Sequence, residues 1–256
     1  MDIEIVALLL VAAAVAGWFD AVVGGGGLVQ LPVLMLALPS TPAVSLLATD
    51  KLSSISGTAC AAVTFARRTK VDVRLALVSG IPAVALSGAG AAAAGTLPPE
   101  VLRPVVAAAL MAVLVLVVAR RDLGVAPTSV LPSRARVAAV VAVTGVALPF
   151  YNGFVGPGTG TMMVVALTTL LGTDFTRGSA TSKLVNLGSN LGALLVFAWQ
   201  GQMLWMLGLG MAAANMLGSR LGAGQALRRG SRFVRVVLIV VVSLLLARLA
   251  VAELIR

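Results

Sequence analysis

Two glycine-rich stretches interrupt apolar segments of this chain, at residues 20–27 and 152–160. Glycine allows the backbone to approach a ligand closely. A short helix that begins after such a break directs unbonded N–H groups and the positive end of its dipole at the break, which is how helix N-termini bind anions. The candidate substrate-binding residues here are Gly24, Gly25, Gly26, Gly27, Gly156, Gly158, Thr159 and Gly160. The alternative is that the glycines only permit close helix packing, but two such stretches in corresponding positions favour a ligand site.

Two of the three lysines of the chain lie inside apolar segments. An ionised lysine within a membrane is costly unless it is paired or faces water, so both are candidates for substrate binding. Each begins a polar stripe at i, i+3 and i+7, a spacing that puts the three side chains on one helix face. The stripes are Lys51, Ser54 and Thr58 in one segment and Lys183, Asn186 and Asn190 in the other. Ammonium, amide and hydroxyl donors suit a small oxyanion. The alternative is that the lysines pair with carboxylates and the amides hold helices together.

Asp20 and Asp50 are the carboxylates that lie well inside the apolar segments, and either is a candidate for carrying a coupled proton. Burial and neighbouring charges decide whether such a group is protonated. Asp50 adjoins Lys51 in sequence, so the two side chains point to different helix faces and need not pair. A structural role, as a helix cap or in a salt bridge, is the alternative for each carboxylate.

Missing residue types exclude several classes of protein. The chain has no histidine and one cysteine, Cys60. These counts exclude an intramolecular disulfide, a His-ligated haem, an iron–sulfur cluster, a His/Cys zinc site and a histidine-dependent hydrolase. The chain also contains no GxxxxGK[ST] pattern, so it has no P-loop for ATP hydrolysis. We therefore expect no catalytic residue, no metal and no cofactor.

The composition is typical of a membrane protein. Of the 256 residues, 59% are apolar and 11% are charged, and the mean hydropathy is +1.06. A soluble domain has about 25% charged residues. The apolar segments are 3–23, 27–38, 43–66, 72–95, 99–119, 135–155, 160–171, 175–199, 204–226 and 233–254. The second and seventh are too short to cross about 30 Å of hydrocarbon. The pattern predicts an all-α, polytopic membrane protein of eight to ten membrane segments, including short broken or re-entrant helices.

The chain consists of two similar halves at a constant offset of 132 residues. Lys51 corresponds to Lys183, and Gly24 corresponds to Gly156. Lysines are rare here, so two that align in register carry more weight than matches between alanines or leucines. The predicted divisions are a first repeat over 1–121, a cytoplasmic linker over 122–133 and a second repeat over 134–256, all in one integral membrane domain.

The positive charges predict that the two halves have opposite orientations. Cytoplasmic loops of membrane proteins are rich in Lys and Arg. The first half has its basic loop between its third and fourth segments, and the second half has one between its fourth and fifth. Placing these loops, the linker and Arg177 inside puts 13 of 19 positive residues there, with both termini outside. Inverted repeats with broken helices are a transporter architecture. The net charge of +10 therefore needs no nucleic acid to explain it.

Two pairs of motifs resemble the signatures of the TauE/SafE sulfite exporter family (TSUP), over nearly the whole chain. The first pair is GWFDAVVGGGGL at 17–28, followed by Pro32, and ATDK at 48–51. The second pair is YNGFVGPGTG at 151–160 and SKLVNLGSN at 182–190. The resemblance implies a bacterial or archaeal inner-membrane carrier that moves sulfite, sulfonates or related organosulfur anions outward. Relatives of this type often have Asn-Lys where this chain has Asp50 and Lys51, so the chain has an additional carboxylate.

These observations favour a secondary transporter of small sulfur-containing anions, multi-pass in the inner membrane, that works by alternating access around the two glycine stretches. The expected partners are a small anionic substrate and membrane lipid, without nucleic acid, and a homo-oligomer is left open. A passive anion channel with the same site and a carrier of another small organic anion are the alternatives. An enzyme is disfavoured because no nucleophile–base pair or metal cluster is evident.

Overall fold

The structure is a computed structural model that describes residues 2–119 and 133–254, with side chains described for 2–112, 133–229 and Phe233. Every regular element in these stretches is helical, which confirms the all-α prediction. The helices are α1 Ile3–Val23, α2 Gly27–Ala37, α3 Ala43–Ala66, α4 Val73–Thr96, α5 Pro99–Ala119, α6 Arg134–Phe154, α7 Thr159–Leu171, α8 Phe175–Trp199 and α9 Trp205–Leu254. Helix α6 contains a π-helical turn, Val143–Ala147. The predicted linker lies outside the described residues, apart from residue 133.

Helices α1, α4 and α6 are long and apolar enough to cross a membrane. Helices α3 and α8 are also long enough, at 24 and 25 residues, but they carry the buried polar stripes, which lower their hydropathy. Helices α2 and α7 have 11 and 13 residues. At 1.5 Å per residue they extend only about 16 and 20 Å, roughly half and two thirds of the hydrocarbon thickness. The short segments predicted after the glycine stretches are therefore present as short helices.

The same backbone conformation precedes both short helices. Helix α1 ends at a left-handed glycine, Gly24, with φ 95°. Its repeat equivalent Gly156 follows α6 and has φ 100°. A residue with a side chain is strained at such φ values, and glycine is not. These two glycines turn the chain inside the fold so that α2 and α7 start there.

The predicted break between segments 204–226 and 233–254 is wrong, because α9 runs through it as one helix of 50 residues. In the first half the equivalent break separates α4 from α5 at Pro98 and Pro99. Proline lacks the N–H and clashes with the preceding turn, so it ends a helix. The second half has Gly230 and Ser231 at those positions, and neither stops a helix as proline does. The cluster of arginines there, which indicated a loop, is compatible with a helix.

The third helices of the two halves, α3 and α8, cross in opposite directions. From the start of α3 to the loop after it, residue numbers rise, while the numbers of their hydrogen-bond partners in and just after α8 decrease. The contacts are Ser45 with Gln202 at 3.0 Å, Thr58 with Asn190 at 3.4 Å and Asp72 with Thr181 at 3.3 Å. The middle pair are repeat equivalents, 132 residues apart. A residue meets its own equivalent only near the axis that relates the halves, so a pseudo-two-fold axis passes between Thr58 and Asn190.

The halves are interlocked rather than laid side by side. Helix α1 packs against α9, and its equivalent α6 packs against α4. A Cβ on Gly222 of α9 would lie 2.4 Å from the Trp18 carbonyl oxygen of α1. At the equivalent point, a Cβ on Gly90 of α4 would lie 2.1 Å from the Phe150 carbonyl oxygen of α6. Since glycine lets the helices touch at both places, each half stabilises the first helix of the other.

The basic segments gather at one end of the molecule. Lys70 and Arg177 line one surface groove, and Arg74 and Arg134 line another that adjoins it through Asp72. The loop between α8 and α9 lies at the opposite end, where Gln202 contacts the start of α3. One end of the molecule therefore carries more positive charge than the other, as the positive-inside rule requires of a protein that spans a membrane.

Candidate functional site

A small polar cavity of about 20 Å³ lies where the N-termini of α2 and α7 meet the middle of α3 and α8. Twelve of the residues predicted from the sequence line it: Asp20, Gly24, Gly26, Gly27, Asp50, Lys51, Gly156, Gly158, Thr159, Gly160, Asn186 and Asn190. Ser54 and Thr58 of the first polar stripe also line it, as does Asn152. Gly25 and Lys183 do not line it. The first stripe and the two asparagines of the second stripe therefore face one cavity, and both helix N-termini open onto it.

The two glycine stretches are in direct contact beside the cavity. A Cβ on Gly160 would lie 2.2 Å from the Gly24 carbonyl oxygen, and one on Gly27 would lie 3.3 Å from the Cα of Pro157. The Tyr151 hydroxyl donates a hydrogen bond of 2.9 Å to the Pro157 carbonyl and fixes the second stretch. Non-helical backbone at membrane depth is tolerated where it is buried in protein or lines a cavity, and both conditions hold here.

Lys51 is held by an amide rather than by a carboxylate. Its Nζ donates to Asn152 Oδ1 at 2.7 Å, and the side chain is 3% exposed. The Asn152 amide nitrogen donates in turn to Ser189 Oγ at 2.7 Å and Asn190 Oδ1 at 3.0 Å, which fixes its orientation. The amide carries no charge, so the ammonium charge of Lys51 remains available to an anion in the cavity.

Lys183 is held by a carboxylate. Its Nζ lies 2.8 Å from Asp20 Oδ2 and also donates to the Asp20 backbone carbonyl. The same carboxylate accepts hydrogen bonds of 3.4 Å from the Gly26 backbone N–H and the Thr58 hydroxyl. The pairing that the sequence offered as the alternative role for the lysines is thus present for Lys183. Asp20 neutralises the charge of Lys183, and Lys183 itself does not line the cavity.

The two lysine sites are equivalent in position but differ in charge. Lys51 and Lys183 occupy the same repeat position, and so do Asn152 and Asp20. Even the next contacts correspond, since Asn152 bonds to Asn190 as Asp20 bonds to Thr58. One replacement, amide for carboxylate, therefore leaves one buried lysine without an anionic partner and gives the other a salt bridge.

Asp50 lines the cavity with a buried carboxylate, which is 3% exposed. It forms no salt bridge among the described residues, and its Oδ1 has no hydrogen-bond partner there. Gln30 of α2 lies beside it. The Gln30 oxygen accepts from Ser53 Oγ at 3.1 Å and from the Asn215 amide at 3.0 Å. The second half has Ser182 at the position of Asp50, so this carboxylate has no repeat equivalent.

Comparison with known proteins identifies the family. Residues 9–249 match the family model described as "Sulfite exporter TauE/SafE". The chain belongs to the TauE/SafE family. It is 32% identical to the probable membrane transporter protein ORF9 of Sinorhizobium sp over 248 residues, covering 96% of this chain and 92% of that protein. It is 30% identical to the probable membrane transporter protein YfcA of Escherichia coli K12 over 242 residues, covering 94% and 88%. No solved structure matches the chain.

Membership of the TauE/SafE family makes the chain a multi-pass membrane transporter and not an enzyme, as the sequence predicted. A probable membrane transporter protein of Haemophilus influenzae is 29% identical over 251 residues, covering 97% of this chain and 96% of that protein. All three relatives are matched over nearly their full length. The inner membrane, expected from the sequence, is the usual location of such proteins.

One residue at the centre of this TauE/SafE site, Asn152, was not predicted as a site residue. The signal was present in the sequence, because Asn152 lies 132 positions after the predicted coupling candidate Asp20. Identical residues reveal the repeat, and Asp20 and Asn152 are residues of different types. A search of the repeat for polar residues in register, whatever their type, would find it.

Proposed function

We propose that this transporter carries small sulfur-containing anions, sulfite or organosulfonates, outward across the inner membrane by alternating access. The observation that supports this most is Lys51, a buried cation whose partner is a neutral amide and which lines a small cavity. Two helix N-termini add partial positive charge at the same place. A small oxyanion matches this set of donors in charge and in hydrogen-bonding capacity.

Around the anion, the glycine stretches, Lys51, Asn186 and Asn190 are the binding residues, and Asp20 and Asp50 are the carboxylates available for coupling. Asn186 and Asn190 lie on the cavity side of α8. Lys183 contributes indirectly, because it fixes Asp20 and through it the Gly26 backbone at the start of α2. Rocking of the interlocked helices around the contact of the glycine stretches would expose the cavity to each side in turn.

Anion flux into proteoliposomes tests the proposal, with labelled sulfite and methanesulfonate as probes. We expect Lys51→Ala to reduce flux at least tenfold, because it removes from the cavity the lysine that has no carboxylate bonded to it. Lys70→Ala is the matched control, since Lys70 is an exposed loop lysine outside the cavity. It should leave flux unchanged.

Absence of flux for both anions in the unaltered protein would overturn the proposed substrate class. Equal flux in the two lysine variants would remove Lys51 from the binding site. The measurement also separates a carrier from the channel alternative, because a channel conducts far faster and does not saturate at carrier rates. Saturable flux at carrier rates supports alternating access.

A further inference from the structure

When no substrate is bound, the charges of the buried lysines and aspartates around the cavity sum to zero. Lys183 is paired with Asp20. This leaves Lys51 and Asp50, which are adjacent in α3 and both line the cavity. Their charges cancel in sum, although they form no salt bridge among the described residues. An uncompensated charge buried in a membrane protein is costly, so the empty site is stable when all four groups are ionised.

A bound anion disturbs this balance by one negative charge. Lys51 attracts the anion, but the carboxylate of Asp50 on the same cavity wall repels it. Protonation of Asp50 removes that repulsion and restores a net charge of zero. Resting on the anion transport proposed above, we infer that Asp50 takes up one proton with each singly charged anion, so that the protein is an anion–proton symporter in which the outward gradient of the anion itself drives export.

The surroundings of Asp50 favour it over Asp20 as the proton carrier. Asp20 has a lysine, a backbone N–H and a hydroxyl as partners, and its protonation would break a buried salt bridge. Asp50 has no salt bridge in the described structure, and its Oδ1 has no hydrogen-bond partner there, so its protonation breaks no ion pair. Lys51 and Asp20 are the charged groups that act on it, and the neighbours from α2 and α9, Gln30 and Asn215, are neutral.

The same surroundings favour a proton over a metal cation. A metal ion needs several oxygen ligands that converge on it. The Gln30 oxygen next to Asp50 already accepts two hydrogen bonds, from Ser53 and Asn215. A proton needs only the carboxylate oxygen. In each cycle it is taken from water on one side, is held on the Asp50 carboxyl group and is returned to water on the other side.

The experiment uses proteoliposomes with labelled methanesulfonate, which stays singly charged over the whole pH range used, so that any pH response belongs to the protein. With an imposed pH gradient and the membrane potential held at zero, the unaltered protein should accumulate the anion on the alkaline side, up to about tenfold per pH unit for one proton per anion. Asp50→Asn should show an accumulation ratio near one, whatever its rate of downhill flux. Asp174→Asn is the matched control, because Asp174 is an exposed helix cap and asparagine caps equally well. It should accumulate the anion like the unaltered protein.

A second measurement needs no variant. With an entrapped pH-sensitive dye and an imposed methanesulfonate gradient, the unaltered protein should move one proton per anion. A ratio of zero, accumulation that follows a sodium gradient instead, or undiminished accumulation in Asp50→Asn would each overturn the inference. Absence of flux for both anions would instead contradict the proposed function.

Discussion

At the scale of single residues, the proposed function depends on one difference between the two equivalent lysine sites. Asp20 and Asn152 occupy equivalent places, and each accepts a hydrogen bond from the equivalent lysine. A carboxylate neutralises the lysine that it binds, whereas an amide holds the lysine in place without a directly bonded negative charge. The type of this one partner therefore decides which of two buried lysines can attract an anion.

We predict that Asn152→Asp weakens anion binding. The new carboxylate would lie at hydrogen-bonding distance from Lys51 and neutralise it, as Asp20 neutralises Lys183. A charge-assisted hydrogen bond contributes about 1.5–3 kcal/mol, so the apparent affinity should fall roughly ten- to hundredfold. The concentration dependence of anion flux in proteoliposomes measures this change.

The reciprocal variant Asp20→Asn serves as the comparison for Asn152→Asp, because it removes a negative charge from the same region. Because it places no new negative charge beside Lys51, we expect no fall in its apparent anion affinity. An unchanged affinity in Asn152→Asp, in protein that still elutes as a folded species, would contradict the role given to Lys51.

At the scale of elements, most helices could be predicted from the sequence because apolar length and glycine breaks set them. The short helices α2 and α7 and both polar stripes are where the pattern indicated. The continuity of α9 could not be predicted from its cluster of arginines. Arginine is typical of the cytoplasmic loops of membrane proteins, but it also has a high helix propensity. The partner of Lys183 could not be predicted either, since a long flexible side chain reaches groups on several neighbouring helices.

The contact between the two glycine stretches gives a prediction at this scale. Alanine usually stabilises a helix by about 0.5–1 kcal/mol relative to glycine. At Gly160 in α7, however, a Cβ would lie 2.2 Å from the Gly24 carbonyl oxygen, and both partners are backbone. Gly160→Ala should therefore lower the free energy of unfolding by about 1–3 kcal/mol and suppress anion flux. Thermal unfolding in detergent and flux in proteoliposomes measure the two effects.

Gly224→Ala is the matched control for that substitution. Gly224 lies in α9, and a Cβ there would have no neighbour within 4 Å. This variant should carry anions normally and unfold at the same or a slightly higher temperature. If Gly160→Ala behaves in the same way, the contact of the glycine stretches has no role in either stability or transport.

At the scale of the whole molecule, the interlocked halves and the antiparallel crossing of α3 and α8 make one transport body with two distinct ends. The repeat and its inversion could be predicted because rare residues align in register and the basic loops alternate. The exchange of first helices between the halves could not, because glycines such as Gly90 and Gly222 permit close packing with any neighbour. Only the fold specifies which helix each one meets.

Sidedness in the membrane is the prediction at this scale. In a Cys60→Ser background, Thr69→Cys lies in the basic loop and Gln200→Cys at the opposite end. A membrane-impermeant maleimide should label Thr69→Cys only from the cytoplasmic face and Gln200→Cys only from the outer face. The Cys60→Ser protein alone should stay unlabelled, and labelling of both sites from one face would refute the orientation.

The unequal lysine sites also bear on the resting state of the carrier. For the alternating access proposed above, an inverted repeat reaches its second state when the two halves exchange conformations. Identical halves would make the inward-open and outward-open states equal in free energy. The salt bridge at Lys183, the amide at Lys51 and the continuous α9 remove that degeneracy. We therefore expect the empty carrier to rest mainly open to one side, and its apparent affinity for the same anion to differ between the two faces of the membrane.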